Sequence, residues 1–479
     1  MTGSLEPYPA YRNSGVAWLG EIPEHWEVRR NGRLFAQRNE TGFANLPILE
    51  VSLKTGVRVR EFASSNRKQV MTDRDKYKRA AKGDIAYNMM RMWQGAVGVA
   101  PVDGLVSPAY VVARPHAQTV TGYFGYLFRV GTYMDEVNNY SRGIVSDRNR
   151  LYWDEFKQMP SLFPSVAEQQ AIVRYLDHAD RRIRHYIRAK QKLIKLLEEQ
   201  KQAIIHRAVT RGLDPNVRLQ PSGVEWLGDV PEHWRVVALR RVTKHRCDGP
   251  FGSGLKSSHY TDGGVRVLRL QNIGLGEVRD NDAAFISEEH YASLGEHDVK
   301  CGDLLIAGLG DERTPAGRAC VAPAGIEPAM VKADCFRFRL DREQIIPEFA
   351  AYHLSATACS ATASLATGAT RQRINLQVMS GRSMAFPPIS EQEKILIDLA
   401  RVLRRVEAAI DMPAREINLI REYRTRLITD VVTGKLDVRA AAAQLPDEPG
   451  ALGVTEREGT EESDIADEAE EAMTADIGD

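Results

Sequence analysis

Two arginine pairs are the first candidates for chemistry. Arg148-x-Arg150 and Arg371-x-Arg373 stand 223 residues apart, each just ahead of a long stretch of periodic apolar residues. The first lies in Ser141-Arg142-Gly143-Ile144-Val145-Ser146-Asp147-Arg148-Asn149-Arg150, the second in Thr367-Gly368-Ala369-Thr370-Arg371-Gln372-Arg373. Small residues between the arginines leave their donors unhindered, which suits a phosphate or the O6/N7 edge of guanine. The opposing reading is that each pair braces the entrance to the following stretch by salt bridges. Other polar residues offer related chemistry. Arg91 and Gln94 follow a predicted strand, and Lys54 and Arg58 flank a Thr55-Gly56 turn. Lys256, Ser257, Ser258, Gln271 and Asn272 do the same in the second half, and an Asn or Gln amide can pair with adenine through two bonds. Trp93, between Arg91 and Gln94, is expected in the core.

Catalytic patterns are missing. The sequence holds no G-x-x-x-x-G-K-[ST] loop, no G-x-G-x-x-G after a strand, no His-Glu-x-x-His and no G-x-S-x-G elbow. Phe386-Pro387-Pro388-Ile389 superficially resembles an adenine-methylase loop. It lacks the leading Asp or Asn and the aromatic that would hold the target base. The five cysteines, Cys247, Cys301, Cys320, Cys335 and Cys359, include no C-x2-C spacing, so they are expected to be buried free thiols rather than a metal site or disulfide framework. A non-catalytic chain is therefore expected.

The elements that must position these residues are written twice. Ser14-Gly15-Val16-Ala17-Trp18-Leu19-Gly20-Glu21-Ile22-Pro23-Glu24-His25-Trp26 returns as Ser222-Gly223-Val224-Glu225-Trp226-Leu227-Gly228-Asp229-Val230-Pro231-Glu232-His233-Trp234, with 10 of 13 positions identical. Phe163 through Asp214 matches Phe386 through Asp437 without a gap, including Glu168-Gln169 on Glu391-Gln392 and Val209-Thr210 on Val432-Thr433. His25 and His233, each beside a repeated Trp, are expected to pack or cap rather than act as bases.

The long repeated stretches carry a heptad, which favours helix-on-helix packing. In the first, Ile172, Ala179, Tyr186 and Leu193 fall at a, with Leu176, Ile183, Lys190, Leu197 and Ile204 at d. In the second, Ile395, Val402 and Ala409 fall at a, with Leu399, Val406, Ile420 and Leu427 at d. Each helix should run about 40 residues, or about 60 Å, and the two should pair antiparallel. Pro413 is expected to kink or split the second, since it removes a hydrogen bond and clashes one turn back.

The fold class expected is α/β: two mixed α/β domains joined by two long antiparallel coiled-coil helices, with a pseudo-twofold internal repeat. The segments read as 1–162 and 213–385 for the domains, 163–212 and 386–440 for the helices, and 441–479 for a tail. That tail is acidic and is expected to be disordered. From Gln444 to Asp479 there are 13 acidic residues and one basic one, which leaves 63 basic against 51 acidic over 1–443. A basic body suits a polyanionic partner. No run approaches the length of a membrane span, and Met1–Gly15 has no apolar core of a signal peptide, so the cytoplasm is the expected compartment.

Together these motifs resemble the specificity subunits of type I restriction-modification systems. The carrying residues are Trp-Leu-Gly-x-[IV]-Pro-x-His-Trp at 18–26 and 226–234, and Gly83-Asp84-Ile85-Ala86-Tyr87-Asn88-Met89-Met90-Arg91-Met92-Trp93-Gln94-Gly95. Ser107-Pro108-Ala109-Tyr110, Gly249-Pro250-Phe251-Gly252-Ser253-Gly254-Leu255-Lys256-Ser257-Ser258 and the Glu-Gln openings of both long stretches add to it. The resemblance spans about residues 8–440 and does not cover the acidic tail. It implies two target recognition domains, each reading one half of an interrupted double-stranded DNA site, with the helices as a ruler between them. It implies two methylase subunits and two motor-nuclease subunits as partners. S-adenosylmethionine, ATP and magnesium would belong to those partners and not to this chain. Two other readings remain open: a stand-alone DNA methylase or nuclease with scattered catalytic groups, and a coiled-coil scaffold that binds only proteins.

Overall fold

The structure is a computed structural model that describes residues 5–53, 55–60, 74–143, 149–280, 282–311, 314–365 and 372–446. It divides into two compact units, which cut across the linear segments of the sequence. Unit 1 comprises residues 1–188 with 417–479, and unit 2 comprises residues 189–416. The first long helix, Val166–Arg211, and the second, Ile389–Val432, are each single helices of which one part belongs to each unit. Among the described residues, no helix is long and apolar enough to cross a membrane.

Each unit is built on a four-stranded antiparallel sheet. In unit 1 the strands are β1 (Phe35–Arg38), β2 (Ile85–Asn88), β3 (Val97–Val99) and β4 (Tyr110–Pro115), in the order β1-β4-β2-β3. In unit 2 they are β5 (Thr243–Cys247), β6 (Leu304–Ala307), β7 (Ala319–Val321) and β8 (Cys335–Leu340), in the order β5-β8-β6-β7. The two orders are the same, although little sequence identity links these strands.

Side-chain alternation explains what each sheet separates, since successive residues of a strand face opposite sides. In unit 1, Ile85, Tyr87, Val111 and Ala113 join the large core that includes Trp26 and Leu176, while Ala86 and Val112 join a small core with Leu49 and Val57. In unit 2, Leu304, Ile306, Phe336 and Phe338 join a core with Trp234, Ile395 and Leu399. Leu305, Ala307 and Cys335 join a second one with Leu268 and Val331. Both faces of the central strands are thus covered, so β2 and β6 read as near-continuous apolar runs.

The layer behind the sheet differs between the units. Unit 1 has a hairpin, Leu49–Ser52 with Gly56–Val59, and a pair formed by Lys78–Ala80 and Gly104–Val106. Unit 2 has a five-stranded sheet containing Val265–Leu268 and Ala329–Val331, paired parallel to each other.

The long helices bury a seam, but its phase corrects the expected heptad. The expected d residues Ile183, Lys190, Leu197 and Ile204 are partly covered, as are Ile187, Ile194 and Lys201, and Ala208 is buried. The second column therefore lies one residue after the expected a positions. Tyr186 and Leu193 are 43% and 42% exposed and leave the seam. The second helix has the same phase, with Leu399, Val406, Pro413, Ile420 and Leu427 in one column and Leu403, Ile410, Ile417 and Val431 in the other. Of the other expected seam residues, Ile172, Leu176 and Ile395 are fully buried. Apolar doublets such as Tyr186-Ile187 and Leu193-Ile194 satisfy either phase, so the sequence alone could not choose. Pro413 does not split the second helix, which continues through it with the ring buried in the seam. Within unit 2 the helices run antiparallel, as Lys190 pairs with Glu416 at 2.8 Å and Lys201 with Glu407 at 2.7 Å. In unit 1, Arg424 reaches Asp180 at 2.5 Å.

Two cysteines also depart from expectation. Cys320 and Cys335 are buried, but Cys301 and Cys359 are exposed. The described residues contain no cluster of His, Cys, Asp and Glu able to hold a metal. Of the disordered tail expected over 441–479, residues 441–446 instead continue a short helix and pack Ala442 and Leu445 on the unit 1 core, and 447–479 lie outside the described residues.

Candidate nucleic-acid interface

A carboxylate in the first turn of each long helix anchors the unit to it. In unit 1, Glu168 accepts from the Trp26 indole at 3.0 Å and from the Tyr8 hydroxyl at 2.7 Å, and it pairs with His25 at 3.1 Å. In unit 2, Glu391 accepts from the Trp234 indole at 3.2 Å and pairs with His233 at 2.8 Å. The Pro-Glu-His-Trp repeats are therefore clamps. The following glutamine is a staple. Gln169 donates to the Pro164 carbonyl at 2.9 Å and accepts from the Val120 amide at 2.9 Å. Gln392 donates to the Pro387 carbonyl and accepts from the Ile346 amide, both at 2.8 Å. Phe386-Pro387 is thus a strand-to-helix turn, with Phe386 paired to Arg235 in a sheet. Sequence repetition marked Glu168 and Glu391 as a matched pair but gave no sign of their partners.

The same scaffold holds the arginine segments. In unit 1, Arg142 and Arg150 exchange backbone bonds of 3.0 and 2.9 Å, and the Leu151 amide donates to the Met89 carbonyl at 2.9 Å. That last bond sets Arg150 beside the loop after β2, which carries Arg91 and Gln94. Arg91, Gln94, Arg142 and Arg150 are all exposed. Trp93 is half-buried against the core, with its indole donating to the Met90 carbonyl. Arg142 also pairs with Glu155 at 2.6 Å while staying 77% exposed. In unit 2 the Ile374 amide donates to the Gly308 carbonyl at 2.8 Å, just after β6. Leu309-Gly310 then pairs with Gln372-Arg373 as a short ladder. In both units, then, the arginine segment closes on the loop that leaves the matching strand.

The remaining expected site residues divide into four groups. Lys256, Ser257 and Ser258 are exposed at a short helical turn. Arg58, Gln271 and Arg373 are engaged. Arg58 pairs with Glu50 and Gln271 donates to Asp282, each at 2.6 Å, while Arg373 donates to Asp334 through Nε and Nη2. Asn272 is a correction. It is 1% exposed, its amide oxygen accepts from the Arg269 amide, and its NH2 donates to the Arg279 and Asp282 carbonyls. Every direction in which it might meet a ligand is used to hold the 269–282 turn. Lys54, Arg148 and Arg371 lie outside the described residues.

Sequence reasoning missed the groups that shape the unit 2 loops. Arg318 is 6% exposed, and its guanidinium donates to the carbonyls of Leu270, Ile273, Leu309 and Pro315. One cation therefore fixes both the loop after β6 and the turn bearing Gln271. Its signal, an Arg among apolar strand residues, is indistinguishable in sequence from a surface Arg. Asp334 takes a left-handed backbone (φ 62°), and its amide donates to Asp248 at 3.0 Å. Burial, with the nearby Asp334 charge, pushes the Asp248 carboxyl up to about 6. The adjoining Gly249 has no room for a side chain, since a Cβ there would lie 2.0 Å from the Lys332 carbonyl carbon.

Fold and site together define a duplicated α/β chain, each half of which is clamped to the start of a long helix and presents basic, amide-bearing loops beyond one sheet. No family model matches the chain. It is 24% identical over 290 residues to the type I restriction enzyme MjaVIII specificity subunit of Methanocaldococcus jannaschii, covering 59% of this chain and 64% of that protein. It is 22% identical over 438 residues to the putative MjaX specificity subunit of the same organism, covering 88% of this chain and 96% of that protein. Among solved structures, a chain from work on the assembly and conformational transition of a type I R-M system matches 87% of this chain and 99% of its own length. It does so with a TM-score of 0.61 at 16% identity, a likeness of fold. The chain is thus similar to type I restriction enzyme specificity subunits.

Proposed function

We propose that this chain is the DNA sequence-specificity subunit of a type I restriction-modification complex. Each unit reads one half of an interrupted site. The observation that carries this reading is the repetition of one scaffold under two different loop sets. Sheet order, Glu clamp and Gln staple recur, while the layer behind the sheet and the loop side chains do not. A reader with two unlike halves matches a non-palindromic bipartite target, because the symmetry of a reader and its site go together. The paired helices act as the ruler. A helix of 46 residues spans about 69 Å.

Base and phosphate contacts fall to Arg91, Gln94, Arg142 and Arg150 in unit 1 and to Lys256, Ser257 and Ser258 in unit 2. Lys54, Arg148 and Arg371 join them by sequence. Arg58, Gln271 and Arg373 act mainly as braces that release to DNA only by exchanging a carboxylate for a phosphate. The chain itself performs no catalysis. Two methylase and two motor-nuclease subunits bring S-adenosylmethionine, ATP and magnesium, and the assembly works in the cytoplasm.

The test is to co-express the chain with its neighbouring methylase and map methylated adenines genome-wide. A single bipartite motif is expected, with no methylation or cleavage by the purified chain alone. Activity of the lone chain would favour a stand-alone enzyme, and a reconstituted complex without salt-dependent DNA affinity would favour a protein-only scaffold.

A further inference from the structure

The first long helix carries an unusual stripe of basic residues within unit 1. Arg174, His178, Arg181, His185 and Arg188 recur at spacings of four and three, so they share one face of the helix, with Arg182 beside them. This face lies away from the covered column of Leu176, Ile183 and Ile187, and all but the half-buried His178 are exposed. The neighbouring acids do not neutralise it. Asp177 accepts from the Tyr126 hydroxyl, and Asp180 is shared by Arg184 and Arg424. Among the described residues, Arg181, Arg182 and Arg188 make no ion pair. The crowding of charge is felt at His178, where burial first and then Arg182 and Arg181 lower the imidazole pKa.

A second observation concerns where the described chain stops. After the short helix Arg439–Ala443, Leu445 packs against the unit 1 core. Arg174, the first member of the stripe, then donates from Nη2 to the carbonyls of Leu445 at 2.6 Å and Pro446 at 3.1 Å. Residues 447–479 therefore leave from one end of the cationic face. They hold 13 acidic residues and one basic residue. From Arg174 to Arg188 the helix rises about 21 Å at 1.5 Å per residue. Ten residues of chain can extend to at most about 33 Å. That brings Glu456, Glu458, Glu461 and Glu462 within range of Arg181, Arg182 and Arg188.

We propose that the acidic segment 447–479 of this same chain docks on the Arg174–Arg188 face of the first long helix. The surface is then held by an internal polyanion, and any outside anion must displace it. This goes beyond the reading of the chain as a specificity subunit and does not rest on it. Because both sides are exposed to solvent, the contact should weaken steeply with salt.

The test uses the full chain and cleavage after Glu456 and Glu458 by a glutamate-specific protease. At low salt, the charge-reversed variant Arg181→Glu/His185→Glu/Arg188→Glu should be cut about tenfold faster than the parent chain, with the difference gone at about 0.5 M salt. The milder Arg181→Gln/Arg188→Gln variant, which keeps helix-compatible residues, should be cut about threefold faster. Arg404→Glu/Arg405→Glu, on the exposed face of the second helix in unit 2, lowers net charge comparably and should leave the rate unchanged. Equal rates for the parent chain and both stripe variants would overturn the proposal. So would equal release by the Arg404/Arg405 control, which would reduce the effect to bulk charge.

Discussion

The two units use the same clamp at different depths. Glu168 is 3% exposed and satisfies three side chains, because Tyr8 adds its hydroxyl to the bonds from Trp26 and His25. Glu391 is 32% exposed and serves two, with Trp234 and His233. A carboxylate removed from water is held by its donors, and each donor left behind becomes unsatisfied when it goes. The same repeated sequence therefore gives a structural keystone in unit 1 and a tether near solvent in unit 2. Sequence identity fixes the chemistry of a contact, and the surroundings fix what it is worth.

Mutations of the clamp should break that comparison most sharply. Glu168→Ala strands the buried Tyr8 and Trp26 donors and is expected to cost about 3–5 kcal/mol, seen as a large fall in thermal unfolding midpoint. If it proved no worse than Glu391→Ala, depth would not be what separates the clamps. For the reading loops, Arg150→Ala should weaken recognition by about 1–3 kcal/mol. Its effect should appear as relaxed methylation in one half of a bipartite motif, with the other half unchanged. Relaxation in both halves would mean that the units do not read separately.

Smaller changes sharpen the picture. Trp26→Phe and Trp234→Phe each remove one N–H to a carboxylate, at about 1.5–3 kcal/mol in the buried clamp and less in the exposed one. Matched unfolding curves for the two would contradict the difference in burial. The smallest expected effect belongs to Asp248. Its carboxyl titrates at about 6 in the folded chain, above the ordinary value near 4, with burial as the chief cause. The folded state then binds the proton more tightly than the unfolded chain, so stability should fall as pH rises from about 4 to about 6. Asp248→Asn keeps an oxygen for the Gly249 and Asp334 amides. It should raise stability above pH 6 by about 1 kcal/mol and flatten that slope in pH-dependent denaturation.

Much of the scaffold was legible because it is periodic or repeated. The long helices follow from heptads, the duplication of the scaffold from two copies of Pro-Glu-His-Trp, and the strands Ile85-Ala86-Tyr87 and Leu304-Leu305-Ile306 from apolar runs after Gly-Asp turns. What resisted reading was anything that depends on neighbours distant in sequence. Leu193 looked like a seam residue because Ile194 beside it fits equally well. Asn272 looked like a reader of bases because its amide carries no sign of the carbonyls that consume it. Arg318 went unnoticed because burial turns a surface residue type into a loop organiser. The shared sheet order of the units could not be seen at all, since the strands agree in topology and hardly in sequence.

The way both long helices are divided has a consequence for cutting the chain. Unit 1 takes residues 417–446 from beyond unit 2. Tyr123 bonds the Val432 carbonyl, and Tyr11 reaches those of Gly434 and Lys435. Unit 2 takes residues 189–211 from before its own globular part, with Ala208 and Val209 in its core. A break near Gly212 would therefore produce two fragments, neither of which contains a whole unit. Their folding should be mutual: co-produced halves complement one another, while either half alone exposes the apolar surface its missing partner would have covered.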